Sequence, residues 1–116
     1  MNLLFIEASR FTKRLFELCA EPQLWELEDL LCQDPELGDM IQGAGGFRKI
    51  RMGLPGRGKR GGCRVIYLYV KPASRIYFVY LYAKNEAVDL SSEQKKLLYH
   101  IAKEIHEQAK KSPPAH

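Results

Sequence analysis

Leu3, Leu4, Phe5 and Ile6 form a short apolar run that predicts a strand buried on both faces. Ser9 then offers an N-cap, and Phe11, Leu15, Leu18 and Cys19 recur behind it at helical spacing. A second helix is expected from Pro22, well suited to a first turn, to about Gln33. Its apolar stripe is Leu24, Leu27, Leu30 and Leu31, while Glu26, Asp29 and Gln33 face out. Asp34-Pro35 ends it, because proline disfavours helical backbone in the residue before it. Trp25 is expected to pack beside the stripe, with a binding role as the alternative.

The pattern then changes period. Phe47 to Met52 alternates, placing Phe47, Lys49 and Arg51 on one strand face and Arg48, Ile50 and Met52 on the other. Gly43 to Gly62 holds eight of the nine glycines, and within it Gly53 to Gly62 reads as a mobile connection. Two apolar strands follow, about Arg64 to Val70 and Ile76 to Ala83, joined through Lys71 to Arg75. Both of their faces are largely apolar, so they are expected to be central, with helices over at least one side. A last helix opens at Ser91 with Gln94 as its capping-box partner, and Leu97, Leu98, Ile101, Ala102 and Ile105 form its stripe. The order β-α-α-β-β-β-α predicts an α+β fold: a small, mostly antiparallel sheet with helices packed on it. Residues 1–111 are expected to form one domain and residues 112–116 a frayed tail.

Charge sharpens this outline. From Met40 to Lys84 there are ten Lys and Arg residues and no Asp or Glu, whereas the first 39 residues carry three basic and nine acidic side chains. A net charge of +4 therefore conceals strong segregation, and a segment that repels itself this way is suited to an anion, phosphate first. The acidic helices are read as solvated faces, as a device that turns the basic face toward nucleic acid, or as a surface for a basic partner. No apolar run is long enough to span a membrane, and no secretory leader is visible at the amino end. Cys19, Cys32 and Cys63 show no metal-binding spacing and are expected to be reduced, with Cys19 and Cys32 as buried small hydrophobes; the location is expected to be cytoplasmic.

Familiar catalytic constellations are missing. Gly53 to Lys59 approximates a phosphate-binding loop, but Arg60 stands where Ser or Thr is needed and a strand follows instead of a helix. Gly56, Gly58 and Gly61 fit a dinucleotide glycine pattern and fail on the same ground. His100, His106 and His116 come late and are too poorly spaced for a metal site, so no metal or other cofactor is expected. Glu86 and Asp89 are candidates for proton transfer, although Asp89 also suits the start of the last helix. What remains is cationic. Lys49, Arg51, Arg64 and Lys84 lie on neighbouring strands and are able to converge, and Arg48, Arg57, Lys59 and Arg60 add positive charge around them. Such a cluster binds RNA phosphates, and it can also stabilise the charge that builds when a ribose 2′-OH attacks the adjacent phosphate.

The stretches Gly45 to Arg51, Gly58 to Tyr67 and Leu81-Tyr82-Ala83-Lys84-Asn85-Glu86 resemble the RelE superfamily of bacterial toxins, and its HigB branch most of all. The resemblance implies a metal-independent ribonuclease that enters the ribosomal A site and cuts mRNA. It also implies a HigA-like antitoxin encoded nearby, with a helix-turn-helix, so that operator DNA is met only through the antitoxin complex. On this resemblance Lys49, Arg51, Arg64 and Lys84 are the catalytic positions; the surrounding cations Arg48, Arg57, Lys59 and Arg60 are expected to bind RNA. Family members carry an arginine and a later tyrosine after the position of Lys84; here Asn85 follows, and no tyrosine lies between Tyr82 and Tyr99. Lys49 and Glu86 stay open as acceptors of the 2′-OH proton. Two other functions compete: a ParE-like toxin that inhibits DNA gyrase, and an RNA-binding module without catalysis.

Overall fold

The structure is a computed structural model that describes residues 2–56, 58–83 and 90–111, with backbone alone for 58–61. Its elements run β1 (Leu4–Glu7), α1 (Ser9–Glu17), α2 (Glu21–Gln33), β2 (Asp39–Met40), β3 (Arg48–Leu54), β4 (Gly58–Val70), a 3₁₀ turn (Lys71–Ala73), β5 (Arg75–Ala83) and α3 (Ser92–Lys110). One sheet holds all five strands in the order β1-β5-β4-β3-β2. β1 runs parallel to β5, and every other pairing is antiparallel. The fold is thus the expected α+β arrangement, and the expected tail at 112–116 lies outside the described residues.

Helices cover both faces, as two apolar strand faces require. On one side Phe11 and Leu15 of α1 and Leu24, Leu27 and Leu31 of α2 pack on Met52, Val65, Tyr67, Phe78 and Leu81. Phe78 is stacked between Phe11 and Phe5, with ring centroids 5.1 Å and 5.7 Å away. On the other side Leu98 and Ala102 of α3 pack on Phe47, Ile66, Leu68 and Val70. The capping box forms: Gln94 N–H donates to Ser91 Oγ at 3.1 Å and Ser91 N–H to Gln94 Oε1 at 2.8 Å. At the end of α2, Asp34 has extended backbone, as the proline after it demands.

Several expectations need correction. β1 is an edge strand with Leu4 44% exposed, because only β5 flanks it. The N-cap of α1 is Ala8, and Ser9 is its first helical residue. Cys19 is exposed: it sits at φ 53° just past α1, where Cys19 N–H donates to Phe16 O and Ala20 N–H to Leu15 O, a Schellman stop. Cys32 is only half-buried, and the buried cysteine is Cys63. Trp25 is 64% exposed, since the stripe at Leu24, Leu27 and Leu31 leaves it one helical step off the core face. The glycine-rich stretch is a hairpin, with Leu54 paired to Gly58 and the ladder continuing through β4. Backbone pairing needs no side chains, so the glycines did not end the strand.

Candidate RNA-phosphate site

The β3–β4 register builds the site. Arg51 stands directly opposite Arg64, and Arg64 is in turn opposite Tyr82 on β5. Lys49 lies two residues before Arg51 and therefore on the same face. Directly opposed side chains in an antiparallel pair have Cβ atoms ~4.5–5.5 Å apart, so these cations share one small area. Lys49, Arg51 and Arg64 line a hollow of about 570 Å³ together with Leu30, Leu37, Gly38, Asp39 and Ile50. It opens at the edge of β3, where β2 stops after pairing only with Lys49 and Arg48. Among the described residues no ion pair within 4.0 Å neutralises any of the three. Like charges opposed across strands repel, and a bound phosphate relieves that repulsion.

The α3 cluster takes Ile66, Leu68 and Val70 of β4, and Tyr82, the cross-strand neighbour of Arg64, packs against it. Beyond Lys49 a second hollow, of about 310 Å³, is lined by Met40, Ile41, Gln42, Lys49, Tyr82, Leu90 and Lys95. Lys49 is common to both hollows.

The rim is held from below. The Tyr67 ring is fully buried, and its hydroxyl donates to Pro35 O and accepts from Gly38 N–H, both at 2.9 Å. Burial raises the Tyr67 pKa above 10.0, with the Gly38 hydrogen bond and nearby Arg48 pulling the other way. A Cβ on Gly38 would stand 2.8 Å from a Tyr67 ring carbon and 2.9 Å from Lys49 O, so this crossing requires glycine. Arg48 belongs to the same scaffold. It lies on the face opposite Lys49, where its guanidinium donates to Gly38 O at 2.7 Å, to Glu36 O at 3.1 Å and to the Glu36 carboxylate at 3.3 Å.

Of the residues singled out from sequence, the structure therefore brings together Lys49, Arg51 and Arg64 and sends Arg48 to the other side. Lys84, Arg57, Glu86 and Asp89 lie outside the described residues, as do the side chains of Lys59 and Arg60. Gln42, Tyr82 and Lys95 border the neighbouring hollow without standing out in the sequence. Tyr82 shares strand parity with Lys84 and was readable on that ground; Lys95 sat in a region of balanced charge and gave no signal.

Residues 33–112 match the family described as the RelE toxin of the RelE / RelB toxin-antitoxin system. The chain belongs to the RelE toxin family. The RelE match contains β2 to β5 and α3, hence every cation of the hollow, while β1, α1 and most of α2 precede it. As a RelE toxin the protein is the toxin half of a toxin-antitoxin pair and has an antitoxin as its partner. Among the described residues no helix is long and apolar enough to cross a membrane.

Proposed function

We propose that this RelE toxin is a ribosome-dependent mRNA endonuclease of the HigB-like branch, neutralised by a HigA-like antitoxin. The observation that carries the reading is the in-register pair Arg51–Arg64 beside Lys49, three cations over one hollow that form no ion pair within 4.0 Å among the described residues. The 2′-oxygen of one nucleotide attacks its own 3′-phosphate; the new O–P bond forms as the bond to the next 5′-oxygen breaks. Negative charge peaks on the non-bridging oxygens between these events. Arg64 and Arg51 are forked donors suited to those oxygens, and they supply the positive charge that a metal provides in other nucleases. The 2′-hydroxyl gives up its proton as it attacks, with Glu86 or water as the acceptor, and Lys49 is then suited to return one to the departing 5′-oxygen. The products are a 2′,3′-cyclic phosphate and a 5′-hydroxyl. Lys84, which lies outside the described residues, is assigned to the catalytic group, and Arg57, Lys59 and Arg60 to the surrounding RNA contacts.

Arg64→Ala is the test. Loss of one preorganised donor to developing charge lowers the rate by on the order of 10²–10³. Growth arrest on induction is expected to disappear while the purified variant melts at or above the parental temperature, because a like-charge contact has been removed. An Arg64→Ala toxin as potent as the parent overturns the assignment. Arrest accompanied by altered plasmid supercoiling and intact mRNA identifies a gyrase inhibitor instead.

A further inference from the structure

We infer that the second hollow, walled by Tyr82 and rimmed by Gln42 and Lys95, is a nucleobase subsite that seats the base next to the cleaved phosphate. The inference rests on the endonuclease reading above and adds the part of the substrate that carries sequence. Position comes first: Tyr82 is the direct cross-strand neighbour of Arg64, and Lys49 borders both hollows, so a nucleotide with its phosphate on Arg64 has its base within reach of Tyr82. Composition comes second. Among the described residues, an aromatic ring, the apolar walls Met40, Ile41 and Leu90, and the primary amide of Gln42 make a slot for a flat heteroaromatic ring with a polar edge.

Tyr82 lines the hollow that adjoins the cations. Its half-buried ring packs against the α3 cluster, which fixes the platform before any base arrives. Gln42, exposed in the turn after β2, presents both an amide donor and an acceptor to a base edge. Lys95 and Lys49 lie on the same hollow and hold the flanking backbone. Tyr82 thus orients the scissile linkage, and Gln42 biases which base is accepted.

The experiment is cleavage of an mRNA during translation in a purified system, mapped by primer extension, for the parent, Tyr82→Phe, Tyr82→Leu, Gln42→Ala and the control Lys103→Ala. Melting curves establish that each variant is folded. Stacking on an aromatic ring predicts that Tyr82→Leu lowers cleavage at preferred sites by about 5- to 150-fold, whereas Tyr82→Phe stays within about threefold. Gln42→Ala is expected to redistribute cuts among codons with little loss of total cleavage, and Lys103→Ala to change neither. An unchanged cut pattern in both folded Tyr82→Leu and Gln42→Ala, with the parent still cleaving, overturns the subsite and leaves the nuclease reading intact. Tyr82→Phe as impaired as Tyr82→Leu also overturns it, by assigning the role to the hydroxyl. A parent that leaves no new 5′ ends removes both readings together.

Discussion

Replacing Tyr67 with phenylalanine removes one oxygen and, with it, the link between the sheet and the loop that edges the cation site. Ring packing is preserved, so the cost is polar. Pro35 O loses its donor and Gly38 N–H its acceptor, and both residues are buried. A buried polar group left without a partner costs ~1–3 kcal/mol. Two such groups, with some relaxation of the loop, give about 2–4 kcal/mol, a large part of the ~5–15 kcal/mol that holds a domain together. With a urea slope of ~1–3 kcal/mol/M the midpoint is expected to fall by roughly 1–2 M, and the melting temperature by about 10 °C. Alkali provides a second signature. Because burial raises the folded-state pKa of Tyr67 above its ordinary 10.0, its contribution is complete below pH 10 and is lost as pH rises beyond it. Tyr67→Phe lacks that component, so the stability difference between the two proteins narrows above pH 10. A Tyr67→Phe protein within ~0.5 kcal/mol of the parent at neutral pH contradicts the stated role of the hydroxyl.

Cys63 predicts an earlier alkaline loss: burial pushes its pKa from 9.0 up to about 11, so its contribution is full below pH 9 and fades as pH approaches 11. The loss is on the order of 2–3 kcal/mol, and Cys63→Ala is expected to flatten that limb of a pH–stability curve. Cys19→Gly relieves left-handed backbone at φ 53° and is expected to add about 0.5–1 kcal/mol in chemical denaturation. Arg51→Gln removes the contact opposite Arg64 and is expected to raise stability by ~0.2–1 kcal/mol at low salt, less at 1 M salt, while mRNA cleavage falls sharply.

Much of this architecture was legible in the residues. Alternation through Phe47–Met52 put Lys49 and Arg51 on one face, and the same parity, applied to Arg48 beside Ile50 and Met52, already excluded it from that face. The convergence with Arg64 was legible only as a possibility, because it depends on register; a slip of one residue would turn Arg64 to the other face. β2 escaped notice because two residues carry no periodicity. Cys19 was misplaced because apolar spacing continued one residue past the point where the backbone turns left-handed. The glycine-rich hairpin was misread for a related reason: side-chain pattern was absent while backbone pairing persisted. Tyr82 and Lys95 come from a strand and a helix whose juxtaposition only the packing of α3 creates.

The most direct trial of the cation cluster is the chemistry of the cut ends. In a purified translation system the parent toxin is expected to leave 5′-hydroxyl and 2′,3′-cyclic phosphate termini on the mRNA, and folded Arg64→Ala to leave none. Termini bearing a 5′-phosphate, or undiminished cutting by Arg64→Ala, would show that the 2′-oxygen attack assigned to Lys49, Arg51 and Arg64 does not take place.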